Sequence, residues 1–339
     1  MNHFKFLLVA PAALGLMAPV AANADTAFSS TTTLGGSAYF TMGSVSDGTP
    51  PTTGIEEEEM YMIYRLNLGL KSSFTGEDTL KVGMKSGNAM GPLASMDNAN
   101  GVGSALTLTN LFYSFPIGDL SITAGPLLAQ DDVIAATTSA YSDEFRLGSM
   151  PFSAAGSEKG PGIGVSYATY NGIVASASFV AADGTDSTKG INSDTGNDVT
   201  TVTLGYDGDG FGGGLIIASN DGDVGTDGYD TFGGGIYYSP ESFPATFSVA
   251  YDTKDPETGD DETDLFIGVD YEVGPGTLSA AWNSTEVDDN SENTDITGFE
   301  VSYSYSINDG VTVTPGIFTV DDGEGEEDTG VVVETAFSF

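Results

Sequence analysis

The chain has no cysteine, and its only histidine, His3, stands three residues from the start. Lys and Arg together number 9 against 49 Asp and Glu, a formal net charge of −40. Each scarcity removes a class of function. Without cysteine there are no disulfides and no thiolate chemistry. With His3 alone, Ser-His catalysis, Cys-His catalysis and the usual His/Cys zinc sites are excluded as well. Nucleic acid is excluded as a partner, because phosphate binding needs basic patches. A carboxylate pair can hydrolyse sugars, but nothing in the pattern singles one out. The string "YDGDGFGGG" at 206–214 lacks the Gly-Lys-Ser/Thr ending of a phosphate loop and reads as a turn followed by a Gly-rich strand. The chain is therefore expected not to be an enzyme and to carry no cofactor or specific metal site. Long apolar runs are missing too: none after the first two dozen residues reaches the roughly 20 residues of a membrane helix.

Residues 1–24, "MNHFKFLLVAPAALGLMAPVAANA", combine Lys5, an apolar run from about Phe6 to Val20 broken by Pro11 and Pro19, and a small-residue cleavage site at Ala22-Asn23-Ala24. This is the composition of a secretory signal peptide. The expected division is 1–24 leader and 25–339 mature domain. Losing the leader takes away His3 and Lys5 and leaves eight basic residues.

What the sequence does have is glycine, 46 residues of it, aromatic residues, and alternation. In "LGGSAYFTM", Leu34, Gly36, Ala38, Phe40 and Met42 share one parity, and in "MYMIYRLNLGLK" Met60, Met62, Tyr64, Leu66, Leu68 and Leu70 do the same. Period two with one apolar face marks a strand. Sixteen such segments are predicted, near 31–44, 59–71, 79–86, 106–116, 120–126, 162–169, 173–181, 199–206, 211–219, 231–238, 245–252, 263–272, 277–284, 295–305, 311–319 and 330–339.

Their connections alternate in length. Seven are short turns rich in Gly, Asn, Asp and Pro, such as "IGD" at 117–119 and "INDG" at 307–310. Eight are longer and more acidic. Short turns at one end and long loops at the other are the pattern of an outer-membrane barrel. The expected fold is thus all-β: a transmembrane antiparallel β-barrel of 16 strands with short periplasmic turns and long extracellular loops. Aromatic residues fall on the apolar parity beside the short turns: Phe115, Tyr167, Tyr206, Phe211, Tyr238, Tyr271 and Tyr305. With the terminal Phe339 they predict a periplasmic aromatic girdle. The last segment, "VVVETAFSF", is expected to close the barrel against the first strand, since an open edge cannot sit in lipid.

Longer strings carry a family likeness. "FSSTTTLGGSAYFT", "LFYSFPIGDLSITAGPLLAQDD", "FRLGSMPFS" and "YDGDGFGGGLIIAS" resemble the porins of marine cyanobacteria, a family related to carbohydrate-selective porins with some members labelled iron-uptake porins. The resemblance implies a homotrimeric channel for ions and small hydrophilic solutes in the outer membrane, in contact with its lipid and lipopolysaccharide. It also implies that the C-terminal strand is read by the barrel-assembly machinery. Relatives of that kind carry a surface-layer-homology domain ahead of the barrel; only a few residues separate Ala24 from the first strand here, so a barrel-only form is expected.

In general porins the third long loop folds into the barrel. Here that loop, 127–160, is the longest, and it is unusually apolar, with Val133, Ile134, Phe145, Leu147, Met150 and Phe152. If it folds inward, Asp131, Asp132, Asp143 and Glu144 are the candidate constriction acids and Arg146 a residue that ties the loop down. Arg65, Lys71, Lys81 and Lys85 lie on the non-apolar parity of the second and third strands and form a candidate basic cluster on the pore wall. Arg65 and Lys85 are expected near mid-height, Lys71 and Lys81 near the periplasmic mouth. Ring charges of this kind set ion selectivity. The acidic runs "IEEEEM", "NDGDVGTDGYD", "KDPETGDDETD" and "DDGEGEEDTG" read as a solvated rim able to hold divalent cations weakly, without EF-hand spacing. The overall charge predicts a preference for cations. Two other readings stay open: a substrate-selective pore for carbohydrate or an inorganic ion, and a non-conducting barrel serving as receptor, adhesin or envelope scaffold with a plugged lumen. A soluble secreted β protein is disfavoured by the sorted loops.

Overall fold

A computed structural model describes residues 31–46, 59–142, 145, 147, 158–193, 195–223, 227–287, 295–321 and 327–339. The expected leader and the candidates Asp143, Glu144 and Arg146 lie outside these residues. The first eight strands are β1 (Thr31–Ser46), β2 (Tyr61–Ser73), β3 (Thr79–Gly87), β4 (Gly103–Ile117), β5 (Leu120–Ala129), β6 (Lys159–Ala168), β7 (Ile173–Ala181) and β8 (Asp198–Asp207). The second eight are β9 (Phe211–Asn220), β10 (Tyr229–Tyr238), β11 (Ala245–Pro256), β12 (Glu262–Val273), β13 (Gly276–Val287), β14 (Ile296–Asn308), β15 (Val311–Asp321) and β16 (Glu327–Ser338). Every strand is antiparallel to its sequence neighbours, and β16 closes the ring against β1.

Closure reaches the last residue. Phe339 donates its N–H to the Gly36 carbonyl (3.0 Å) and accepts from Gly36 N–H (2.8 Å). Side by side on the outer face, Phe337 and Phe40 bring their ring centroids to 5.1 Å. The terminus is thus held by the two-sided pairing that a barrel in lipid requires, because an unpaired backbone group there costs several kcal/mol.

Strand parity sorts the side chains inside out. Glu300 and Glu334 are 0% and 2% exposed, while Leu204, Ile217 and Ile236 are 54%, 54% and 66% exposed. A water-soluble fold would reverse this; a barrel with a polar interior and an apolar outer band does not. Short turns alternate with longer loops as expected, with two exceptions. β11 and β12 run on through part of the acidic stretch "KDPETGDDETD", so their loop is only 257–261, and β15 and β16 are joined by 322–326 alone. At the rim Lys254 stands opposite Glu262, a favourable cross-strand pair, and lies 5.0 Å from the Tyr229 ring centroid.

Candidate functional site

The third loop enters the barrel directly after β5. A 3-10 turn at Gln130–Val133 folds it back, and Gln130 Nε2, fully buried, donates to Thr201 Oγ1 on β8 at 2.9 Å. From there the loop runs along the inner wall. Ala135 N–H donates to Ser176 Oγ on β7 (3.1 Å) and Ala140 N–H to Ser248 Oγ on β11 (3.0 Å). Ser142 is bound twice to the Asp270 carboxylate of β12, at 3.0 and 2.8 Å. The Tyr141 hydroxyl donates to Glu300 Oε1 of β14 (2.6 Å), and Leu147 N–H donates to Glu300 Oε2 (2.8 Å). The loop crosses from β6 to β15.

Its close approach is made possible by a row of inward glycines on β6, β8, β9, β10, β12, β14 and β15. Val133 sits on Gly164, Ala136 on Gly205 and Gly214, Thr138 on Gly235, Tyr141 on Gly268, Leu147 on Gly298 and Phe145 on Gly316. A Cβ at Gly214 would lie 2.7 Å from the Ala136 methyl, and at Gly235 it would overlap the Thr138 carbonyl. The seat was not expected from the sequence; the inward parity of these glycines was the available signal.

The second loop also folds inward, which the sequence did not predict. Leu93 and Met96, fully buried, join Val45, Ile63 and Val332 of β1, β2 and β16 in one apolar cluster with Phe145 and Leu147 of the third loop. Tyr61 of β2 accepts from Leu93 N–H (2.7 Å) and donates to the Met90 carbonyl (3.2 Å). Asp97 N–H donates to the Phe145 carbonyl at 2.7 Å, joining the two loops.

Against this frame the predicted charges take definite places. Asp132 is half-buried; its carboxylate pairs with Lys81 Nζ (2.9 Å) and accepts from Asn110 Nδ2 (2.6 Å) and Ala129 N–H (3.0 Å). It is bound at the root of the third loop. Asp131 beside it is exposed. Arg65 turns to the second loop: its guanidinium donates to the Asp97 carbonyl (3.3 Å) and Asn98 Oδ1 (2.5 Å) and lies 4.5 Å from the Tyr39 ring centroid. Lys85 and Lys71 form no ion pair among the described residues. Lys71 stands opposite Lys81 two residues from the short turn, and Lys85 stands opposite Asn67, further up. The charges of Arg65, Lys159, Asp131 and Asp132 all act on Lys85. The structure therefore brings Lys81 and Lys85 to the first two loop acids at the root of the third loop, while Arg65 goes to the second loop and Lys71 stays by the short turn.

An acidic wall was missed. Asp252, Asp264, Asp270 and Glu272 on β11 and β12, Glu300 on β14 and Glu334 on β16 all take the inward parity. Alternation alone exposes that parity; Glu334 already opposes the apolar valines of "VVVETAFSF". Among the described residues no group of three or more His, Cys, Asp or Glu is arranged to hold a metal ion.

The predicted girdle residues stand on the outer face at the short-turn ends. Tyr167, Tyr206, Phe211, Tyr238, Tyr305 and Phe339 are exposed, and Phe115 and Tyr271 are half-covered by neighbouring rings, Tyr113 at 5.5 Å and Phe243 at 5.5 Å. Asp78, in the turn between β2 and β3, anchors this rim. Its carboxylate accepts from Ser73 Oγ (2.7 Å), Phe74 N–H (2.9 Å), Thr75 N–H (2.8 Å), Thr75 Oγ1 (2.9 Å) and the Tyr113 hydroxyl (2.5 Å). Burial alone would raise its pKa, but the bonds from Tyr113, Thr75 and Ser73 outweigh burial and hold it well below the usual carboxylate range.

Known proteins agree with this architecture. A family model described as Gram-negative porin matches residues 10–328. No curated protein matches the chain in sequence. Among solved structures it is similar to an anion-selective porin from Comamonas acidovorans, at 13% identity and TM-score 0.65, over 92% of this chain and 100% of that one. A loop-L8 deletion mutant of OmpT, an outer membrane protein of Vibrio cholerae, aligns with TM-score 0.66 at 11% identity, over 92% and 100%. The high-pH structure of Pseudomonas putida OprB aligns with TM-score 0.64 at 10% identity, over 91% and 94%.

Proposed function

The chain belongs to the Gram-negative porin family, a non-enzymatic diffusion channel of the outer membrane, and from that premise we propose that it passes ions and small hydrophilic solutes with a preference for cations. The observation that carries the reading is the inside-out barrel with a loop seated along its inner wall. Cation preference is supported by the balance of charge. Asp132 and Lys81 neutralise one another and Arg65 is engaged with the second loop. Lys85 and Lys71 face inward on one arc, while Asp270 and Glu272 stand on the far wall beneath an acidic rim. Carboxylates near the path raise local cation concentration, and within a narrow channel they are screened less than loop charges in open water.

Further parts of the proposal rest on the sequence. Residues 1–24 are removed on export, the terminal strand ending in Phe339 is recognised by the barrel-assembly machinery, and the protein is a trimer of the cyanobacterial type. Asp131, with Asp143, Glu144 and Arg146, belongs to the constriction. Reconstitution into liposomes tests the reading: isotonic arabinose should swell the vesicles rapidly and larger oligosaccharides should not. Vesicles that exclude arabinose while holding folded, heat-modifiable protein would point to the receptor or scaffold alternative.

A further inference from the structure

We infer that the second loop, residues 88–102, is a second constriction element and that Arg65 is the positioning residue that holds it in the lumen. The inference rests on the channel reading and adds to it. The third loop follows the inner wall from β6 to β15, where the Phe145 carbonyl accepts from Asp97 N–H of the second loop. The second loop continues the cover over β16, β1 and β2, with Leu93 and Met96 packed on Val332, Val45 and Ile63. Among the described residues, the arc left is that of β3 to β5, which meets the third loop only near its root, through contacts such as those of Asp132 with Lys81 and Asn110. Two loops in series, rather than one, thus border the path.

The clasp is polar and two-sided. The Arg65 guanidinium takes the Asp97 carbonyl with one nitrogen and Asn98 Oδ1 with the other. Asn98 then donates through Nδ2 to Glu334 Oε1 (2.9 Å), and Glu334 Oε2 accepts from Thr41 Oγ1 (3.0 Å). One asparagine side chain therefore links β2 to β16, and Glu334 links on to β1. Arginine is required because a planar fork reaches two acceptors at fixed geometry, which a lysine ammonium does not reproduce.

Charge and position are separated by Arg65→Lys, which keeps the charge and loses the fork. Asn98→Ala removes the other half of the clasp from a loop, where the barrel itself tolerates the change. Both variants, checked for heat-modifiable folding, are compared with wild type by unitary conductance in a planar bilayer, by reversal potential, and by the largest sugar that swells liposomes. The expected result is a higher conductance and a larger sugar cutoff in both, with the reversal potential of Arg65→Lys unchanged. Wild-type conductance and cutoff in both variants, with a third variant, Arg65→Gln, moving the reversal potential alone, would make Arg65 a plain wall charge and overturn the clasp alone. A wild-type protein that carries no current overturns the channel reading beneath it.

Discussion

At the scale of single residues, two positions show how local chemistry supports the barrel. Asp78 gathers five donors around one carboxylate at the short-turn end. A depressed folded-state pKa means that its contribution is complete above the ordinary Asp value of about 3.9 and is lost only as the pH falls below that toward the folded value. Asp78→Asn should therefore cost roughly 2 kcal/mol at neutral pH, and the gap to wild type should narrow only below the ordinary carboxylate range. Heat-modifiability followed against pH checks both the size and the window. Gly235 is the second position. Gly→Ala in a strand interior ordinarily stabilises by roughly 0.5–1 kcal/mol. Here the new methyl would meet the Thr138 carbonyl, so Gly235→Ala should destabilise the folded form and displace the third loop. Unchanged melting and unchanged single-channel noise would count against the glycine seat.

At the scale of elements, the strands were legible and the inner loops were only half so. All sixteen strands form within a few residues of their expected bounds, because period-two alternation is dictated by lipid on one side and water on the other. The third loop showed its inward course through Val133, Phe145 and Leu147, and all three are buried. The second loop gave less away. Its apolar residues are scattered through a Gly- and Asn-rich stretch, and the clasp of Arg65, Asn98 and Glu334 that ties it down is brought together across as many as 236 residues of chain. Such pairings leave no local trace in sequence. For the same reason the sequence set Asp132 against the basic cluster but could not show that it would be bound to Lys81 at the loop root. The buried Glu300 carboxylate ties the third loop at two points. Glu300→Ala leaves the Tyr141 hydroxyl and Leu147 N–H without this acceptor, at a cost of about 1–3 kcal/mol, and should speed limited trypsin cleavage after Arg146. Equal cleavage rates in wild type and variant would show that the loop does not depend on this anchor. At the other end of the chain, deleting 327–339 removes β16 and opens an edge that lipid cannot satisfy; no heat-modifiable species should form.

At the scale of the whole molecule, the distribution of charge matters more than its sum. A formal −40 over 339 residues keeps the loops solvated and draws cations to the mouth. Five basic residues, Arg65, Lys71, Lys81, Lys85 and Lys159, lie on β2, β3 and β6, while inward carboxylates line β11 to β16. The barrel thus carries opposite signs on opposite arcs, and its selectivity is set by how much of each remains uncompensated at the narrowest level. Lys85 is the test residue for the basic side: Lys85→Gln should move the reversal potential further toward cations without changing the sugar cutoff, and no movement would remove Lys85 from the ion path. The most direct measurement of the central claim is single-channel recording of the wild-type protein in a planar bilayer under a KCl gradient. Stable conductance steps with a cation-selective reversal potential are the predicted result. Folded protein that inserts and passes no current would contradict the channel, and steps with an anion-selective potential would contradict the proposed dominance of the carboxylates over the β2–β3 wall.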